Sequence, residues 1–212
     1  IIKFYFTENE TSMFLVEHLT ENLDGTWTIQ SREFSTGNVG DIVSRQTNEY
    51  KGHQFDANAV WVNTQGKPLE ENQEGDNWVT EYTEQDGKYH ASGTLESGKI
   101  LVLRFYYTLT VHDYTIEHKI LKNNGTYEWL FGTEEASTQK GQGKYGERYI
   151  RTAMERAGYY VDGSKTDASR LKQSKIITND SELNVITFYY VSEPVEINYR
   201  IVVNGVVGTN ID

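Results

Sequence analysis

The pattern with the widest chemical reach in this chain is Gly141-x-Gly143-x-x-Gly146. Between a buried strand and a helix, that spacing lets backbone amides touch a pyrophosphate. Its surroundings do not suit the role. Glu134-Glu135-Ala136-Ser137-Thr138 ahead of it is polar, Glu147 would repel phosphate, and the comparable stretch Ser35-Thr36-Gly37 lacks the first glycine. The pattern therefore reads as a turn. His18 and His118 hold equivalent places on two strands, and a third such strand has Tyr199 there. A position that accepts Tyr is a packing position, which outweighs a metal or catalytic role. His53, His90 and His112 lack the spacing of a metal site. There is no Gly-x-Ser-x-Gly elbow and no cysteine to pair with histidine. Glycosidase chemistry needs two carboxylates at a fixed separation. Repeated small modules rarely build the cleft that holds them. The expectation is no enzyme, with no catalytic residues, no metal and no cofactor.

One stretch has the composition of a ligand surface. Glu70-Glu71-Asn72-Gln73-Glu74-Gly75-Asp76-Asn77-Trp78 is acidic and ends on tryptophan. Oxygen-rich loops can hold Ca²⁺, but the D-x-[DN]-x-[DN]-G order is missing. Trp78, Tyr82 and Tyr89, set among polar residues, are candidate ligand-binding residues that could stack on sugar rings. The plainer reading, a hairpin that covers its module, carries more weight.

Composition narrows the partners. The formal net charge of the 212 residues is −11, which disfavours nucleic acid and anionic lipid surfaces. Aromatics make up 13 %, led by 15 tyrosines, too many for a disordered chain and suited to half-exposed sheet. There is no cysteine, which fits a cytosolic protein or an extracellular one from an organism that avoids disulfides. No run approaches 18 apolar residues, so no membrane-spanning helix is expected.

The elements that must position these residues repeat. Ile2-Lys3-Phe4-Tyr5-Phe6, Leu103-Arg104-Phe105-Tyr106-Tyr107 and Ile186-Thr187-Phe188-Tyr189-Tyr190 share one alternation, with apolar and aromatic side chains on one face. That is the period of a half-buried strand, here closing three modules. Opening strands run Met13–Thr20 and Tyr114–Ile120, each followed by an Asp-Gly or Asn-Gly turn. Gly40 and Gly146, Gly52 and Gly158, and Asp56 and Asp162 are each 106 residues apart, whereas Phe105 and Phe188 are 83 apart. The first module thus carries about 23 extra residues, placed near 63–90. Helices are expected from Ile42 to Tyr50, capped by Asp41 and ended by Gly52, and from Arg148 to Arg156, ended by Gly158. Ile150, Ala153, Met154 and Ala157 have the spacing of a helical face. The divisions are 1–10 as the close of a preceding module, 11–110 and 111–193 as full modules, and 194–212 as the start of a third, the chain being a piece of a longer, extended string.

The order of these features resembles the mucin-binding-protein repeat (MucBP) family of Gram-positive surface adhesins. The likeness rests on Val16-Glu17-His18 and Ile116-Glu117-His118, on Gly37-x-x-Gly40-Asp41 and Gly143-x-x-Gly146-Glu147, on Gly52 and Gly158, and on the closing Phe-Tyr-Tyr. It implies α+β, β-grasp (ubiquitin-like) modules, sheet-rich with one short helix each. It further implies a monomeric, non-catalytic adhesin on the bacterial cell surface, binding host mucin or other glycoproteins; some members bind immunoglobulins. The alternative is a stalk that spaces a distal tip from the wall and binds nothing itself. In surface adhesins, first and last strands are sometimes joined by a Lys–Asn isopeptide bond. Lys119 and Asn184 have those residue types, and the first module shows no equivalent pair.

Overall fold

The computed structural model describes residues 10–69, 76–163 and 171–194, with the backbone of 202–203 and 206–207. The opening strand at 2–6, the acidic run at 70–75 and most of the third module lie outside the described residues. Two compact units divide the chain. One holds the residues up to Asp113 with Gln142–Arg148 and Ile176–Asn184; the other holds Tyr114–Gly141, Tyr149–Lys175 and the chain from Val185 onward.

The first copy of the repeat consists of β1 (Thr11–Glu21), β2 (Trp27–Asn38), β3 (Ile42–Gln46), β4 (His53–Phe55), β5 (Asp76–Val79), β6 (Thr83–Gln85), β7 (Lys88–Thr94) and β8 (Ile100–Leu109). β1 and β2 form an antiparallel hairpin whose turn needs Gly25 at φ 80°. The last strand, β8, returns to lie parallel to β1, from Met13 opposite Ile100 to Thr20 opposite Tyr107. β4 flanks β8 antiparallel, giving the order β2-β1-β8-β4, and β5 pairs in parallel with the start of β8. β3, β7 and β6 make a second sheet.

The second copy consists of β9 (Val111–Leu121), β10 (Tyr127–Trp129), α1 (Glu134–Ser137), β11 (Thr138–Lys144), β12 (Arg148–Thr152), β13 (Tyr159–Val161), β14 (Lys172–Ile176) and β15 (Val185–Ser192). Its order, β10-β9-β15-β13 with β12 on β14, matches the first copy's β2-β1-β8-β4 and β3 on β7, and its described residues include no counterpart of β5 or β6. β10 and β11 share the role of β2, since both pair with β9. Farther on, Val202–Val203 pairs antiparallel with Val206–Val207.

The expected helices are strands. Of the described residues 58 % are strand and 2 % helical, so the α+β β-grasp expectation with one helix per module is overturned. Among the described residues the helix is the single turn Glu134–Ser137, capped by Thr133. The residues read as helix signals terminate turns instead. The Asp41 carboxylate accepts from the Asn38 amide at 3.0 Å, and Glu147 accepts from Lys144 at 2.9 Å. Gly40 donates to Leu95 O and Gly146 to Ile177 O, so the following backbone is committed to a sheet. Ile42–Gln46 then pairs with Thr94–His90. In β12 the real period is two: Tyr149 is buried and Ile150 is 57 % exposed, so the helical spacing of Ile150 and Ala153 was coincidental.

One face of the main sheet and the second sheet enclose the first copy's core. Phe14, Val16, Leu103, Phe105 and Tyr107 meet Val43, Ala91 and Leu95 there. Each such side chain contributes roughly 1.5–3 kcal/mol on leaving water. The opposite face is also buried, because the inserted residues fold over it. Val62 packs on Leu19 and Tyr106, with Trp27, Ile29, Ala59 and Trp61 around them. β8 is accordingly buried on both faces, whereas its counterpart β15 alternates strictly between buried and half-buried.

Beneath that lid lies a charge that burial makes costly to orphan. Glu17 is 1 % exposed and its carboxylate binds Arg104 Nε at 2.6 Å and Arg32 Nη2 at 2.5 Å. In the second copy Glu117 meets Lys119 at 2.8 Å and the Thr187 hydroxyl at 2.9 Å, and is 21 % exposed. Removing one member of a buried pair strands the other, whereas an accessible pair is screened. Glu17→Ala leaves Arg104, 18 % exposed, without its carboxylate and is expected to cost roughly 1.5–3 kcal/mol, and Glu117→Ala about 1 kcal/mol or less. Urea unfolding of the two variants checks this; equal losses would contradict it.

Candidate functional site

The residues with the most perturbed chemistry are a duplicated histidine–tyrosine pair. In the first copy the His18 ring stacks on Phe105 at 4.7 Å, and its Nδ1 lies 2.8 Å from the Tyr107 hydroxyl. In the second, His118 stacks on Phe188 at 5.4 Å with Nδ1 2.8 Å from the Tyr190 hydroxyl. Parallel pairing sets both geometries, because each histidine sits directly opposite its phenylalanine. Burial lowers both imidazoles to about 4 and pushes the Tyr190 hydroxyl up to about 12. Both pairs are buried, with His18, Tyr107, His118 and Tyr190 at most 7 % exposed. The pairs are structural, as the strand alternation implies.

The third partner differs between the copies. The Asn48 amide donates to the Tyr107 oxygen at 2.8 Å, so the one Tyr107 proton points to His18 Nδ1. At the equivalent place, Tyr190 donates to the Met154 carbonyl at 2.8 Å, so His118 Nδ1 must carry the proton that Tyr190 accepts. The two imidazoles are held in opposite tautomers. His118 Nε2 is left as a buried lone pair with no hydrogen-bond partner.

Above Tyr107 an open groove of about 720 Å³ runs between the 47–55 segment and the 87–89 turn. Tyr50, Phe55 and Tyr89 form its aromatic floor; Asn48, Lys51, His53 and Lys88 carry its polar rim. Phe55 lies 4.8 Å from Tyr89, and Tyr50 stands edge-on to Tyr107 at 4.8 Å. Both His53 nitrogens face backbone carbonyls, of Lys51 at 3.0 Å and Glu21 at 2.9 Å, which fixes the ring. Stacking surfaces with a rim of donors and acceptors suit a sugar ring better than an apolar ligand.

The three candidate ligand residues do not converge. Tyr89 lines this groove. Trp78 stacks on Trp61 at 4.6 Å and borders a separate polar concavity with Ser44, His90 and Ser92. Tyr82 is packed against Phe55 and Phe105, its hydroxyl donating to Arg104 O at 2.5 Å. Tyr50 was missed because it ends the stretch 42–50 expected as helix, and His53 and Phe55 because they follow Gly52 with no motif to mark them as a ligand surface. The one available signal was their spacing around Gly52, whose φ of 75° turns the chain between them.

Two further motifs resolve. A Cβ at Gly141 would strike the Tyr114 ring, one at Gly143 would crowd Ile177 at 3.1 Å, and Gly146 takes φ 81°. The glycine spacing thus has packing and turn causes. Lys119 binds Glu117 and lies opposite Tyr189, while Asn184 precedes Val185 opposite Thr115. Strand rise puts the two on the order of 15 Å apart, so they cannot form an isopeptide bond. Asn184 instead donates to the Asp113 and Thr178 carbonyls. Among the described residues no group of His, Asp and Glu is arranged to hold a metal, and no helix is long and apolar enough to cross a membrane.

Comparison with family models gives no match, and comparison with curated sequences gives none. Among solved structures the chain is similar to the Bacillus anthracis TIE protein, at 11 % identity and a TM-score of 0.39. The match covers 86 % of this chain and 34 % of that one, so this chain spans about a third of that protein's length.

Both histidines carry fewer protons folded than unfolded between pH 6.5 and about 4. Their contribution is complete above pH 6.5 and is lost as the pH falls toward 4. The urea midpoint is expected to drop between pH 7 and 5, and less so in the His18→Phe, His118→Phe double variant. Nitrogen-15 shifts of the wild type at pH 7 should show protonated Nε2 in His18 and protonated Nδ1 in His118. Matching tautomers, or an equal drop in the variant, would contradict this arrangement.

Proposed function

We propose that the two copies are non-catalytic binding repeats of a bacterial cell-surface adhesin, and that the first engages glycans of host mucin or related glycoproteins. The observation that carries the reading is the groove over Tyr107, with Tyr50, Phe55 and Tyr89 as stacking surfaces and the amide of Asn48 and the amines of Lys51 and Lys88 at its rim. A shallow, open, polar-rimmed groove recognises one or two rings weakly, and repetition along a chain raises weak contacts to useful avidity. The order of sequence motifs resembling the mucin-binding repeats supports the same reading, although the helices that formed part of that pattern are strands.

Binding of the full chain to immobilised mucin, read by surface plasmon resonance, tests the proposal. Saturable binding that falls about five- to thirtyfold in Tyr89→Ala is expected, since one aromatic stacking contact is worth on the order of 1–2 kcal/mol. Binding unchanged by that substitution would remove the groove from the account. No saturable binding would favour a stalk that spaces another domain from the wall.

A further inference from the structure

The same sheet face meets two fates in the two copies. In the first, the hairpin at 61–69 lies over it. Val62 N–H donates to the Tyr106 hydroxyl at 3.1 Å, and that hydroxyl donates to Val62 O at 2.8 Å. The Trp27 amide donates to Thr64 O at 2.8 Å, and the Trp27 ring stands edge-on to Tyr106 at 5.1 Å. The hairpin closes on itself through Asn63 N to Lys67 O and Leu69 N to Trp61 O, each 2.9 Å. Trp61 covers the Arg104 guanidinium at 5.6 Å.

The second copy keeps the receiving side and has no such hairpin among its described residues. Tyr189, opposite Lys119, holds the place of Tyr106, opposite Leu19. Tyr127, opposite Leu121, holds the place of Trp27, opposite Glu21. Their rings are 4.8 Å apart, close to the 5.1 Å of the covered pair. Trp129 and Lys119 complete a hollow of about 250 Å³, with Lys119 Nζ 4.8 Å above the Trp129 ring. Tyr127 is 41 % exposed, and Thr187 stands where the first copy has the longer Arg104. Less side chain fills the space that Trp61 roofs in the first copy.

We infer that this face of the second copy, which no described residue covers, is a docking site for an extended peptide segment carrying an aromatic side chain. The first copy's own hairpin shows the mode of seating. One residue of the guest offers its backbone N–H and C=O to the Tyr189 hydroxyl, and the neighbouring aromatic ring lies over Thr187 and against Trp129. A peptide fits better than a sugar because the Tyr106 hydroxyl is bonded in both directions by a single backbone residue. This site is separate from the Tyr89 groove and stands or falls without it.

The probe is a cyclised peptide of residues 60–69, titrated into the ¹⁵N-labelled full chain. Saturable shift changes at Tyr127, Trp129 and Tyr189 are expected. Tyr189→Phe, which keeps the ring and removes the hydroxyl, should weaken binding about fivefold or more. A probe with alanine in place of Trp61 should weaken it further. Well-dispersed spectra of the variant show that it folds. The inference is overturned if those residues do not respond, if Tyr189→Phe binds the probe as the wild type does, or if mucin oligosaccharides give the same shifts as the peptide.

Discussion

Everything in each copy depends on one long-range pairing: the last strand must return and lie parallel to the first. Glu17 and Arg104 are 87 residues apart in sequence, yet they share a register position. Closing so long a loop costs entropy before any contact repays it. The repayment is concentrated in a few residues. Histidine stacks on phenylalanine, tyrosine ties the histidine to the backbone across the core, and an acid one position away takes a cation or a hydroxyl from the returning strand. All three devices appear in both copies at the same register. Their chemistry varies at the edges, with Asn48 giving an amide where Met154 gives a carbonyl, and the tautomer follows.

The second constraint is the other face of that sheet. A returning strand of Phe-Tyr-Tyr type places every second tyrosine outward. In the first copy Tyr106 is 1 % exposed, because the insertion has been folded down on it. Covering it allowed an arginine and a carboxylate to be buried beneath and made both faces of β8 apolar interior. Among the described residues of the second copy the same face is half-buried, with Lys119 and Thr187 suited to water. The hairpin at 61–69 is thus a lid on its own module and takes no part in lining the groove over Tyr107.

Much of this was legible in the sequence because strands announce themselves with a period of two. Ile186, Phe188 and Tyr190 are buried and Thr187 and Tyr189 are not, as the alternation requires. Gly40 and Gly146, and Gly52 and Gly158, each pair 106 residues apart, all take positive φ. The helices were misread for a physical reason. An acidic residue before an apolar run and a glycine after it satisfy backbone amides and reverse the chain whether the run is helix or strand. Ile42–Gln46 is five residues long and rich in β-branched side chains at its start, and the partner that decides its state, Lys88–Thr94, is some fifty residues away. The groove could not be read from the sequence, because Tyr50, Phe55 and Tyr89 come together only through that pairing.

Hydrogen exchange of the full chain measures the central pairing most directly. Amides of β1 with β8, and of β9 with β15, should be the slowest in their copies, and both partners of a pair should open with one shared free energy. If the returning strands exchange well before the first strands, or the β1–β2 hairpin outlasts β8, the parallel closure is not what holds the copies together.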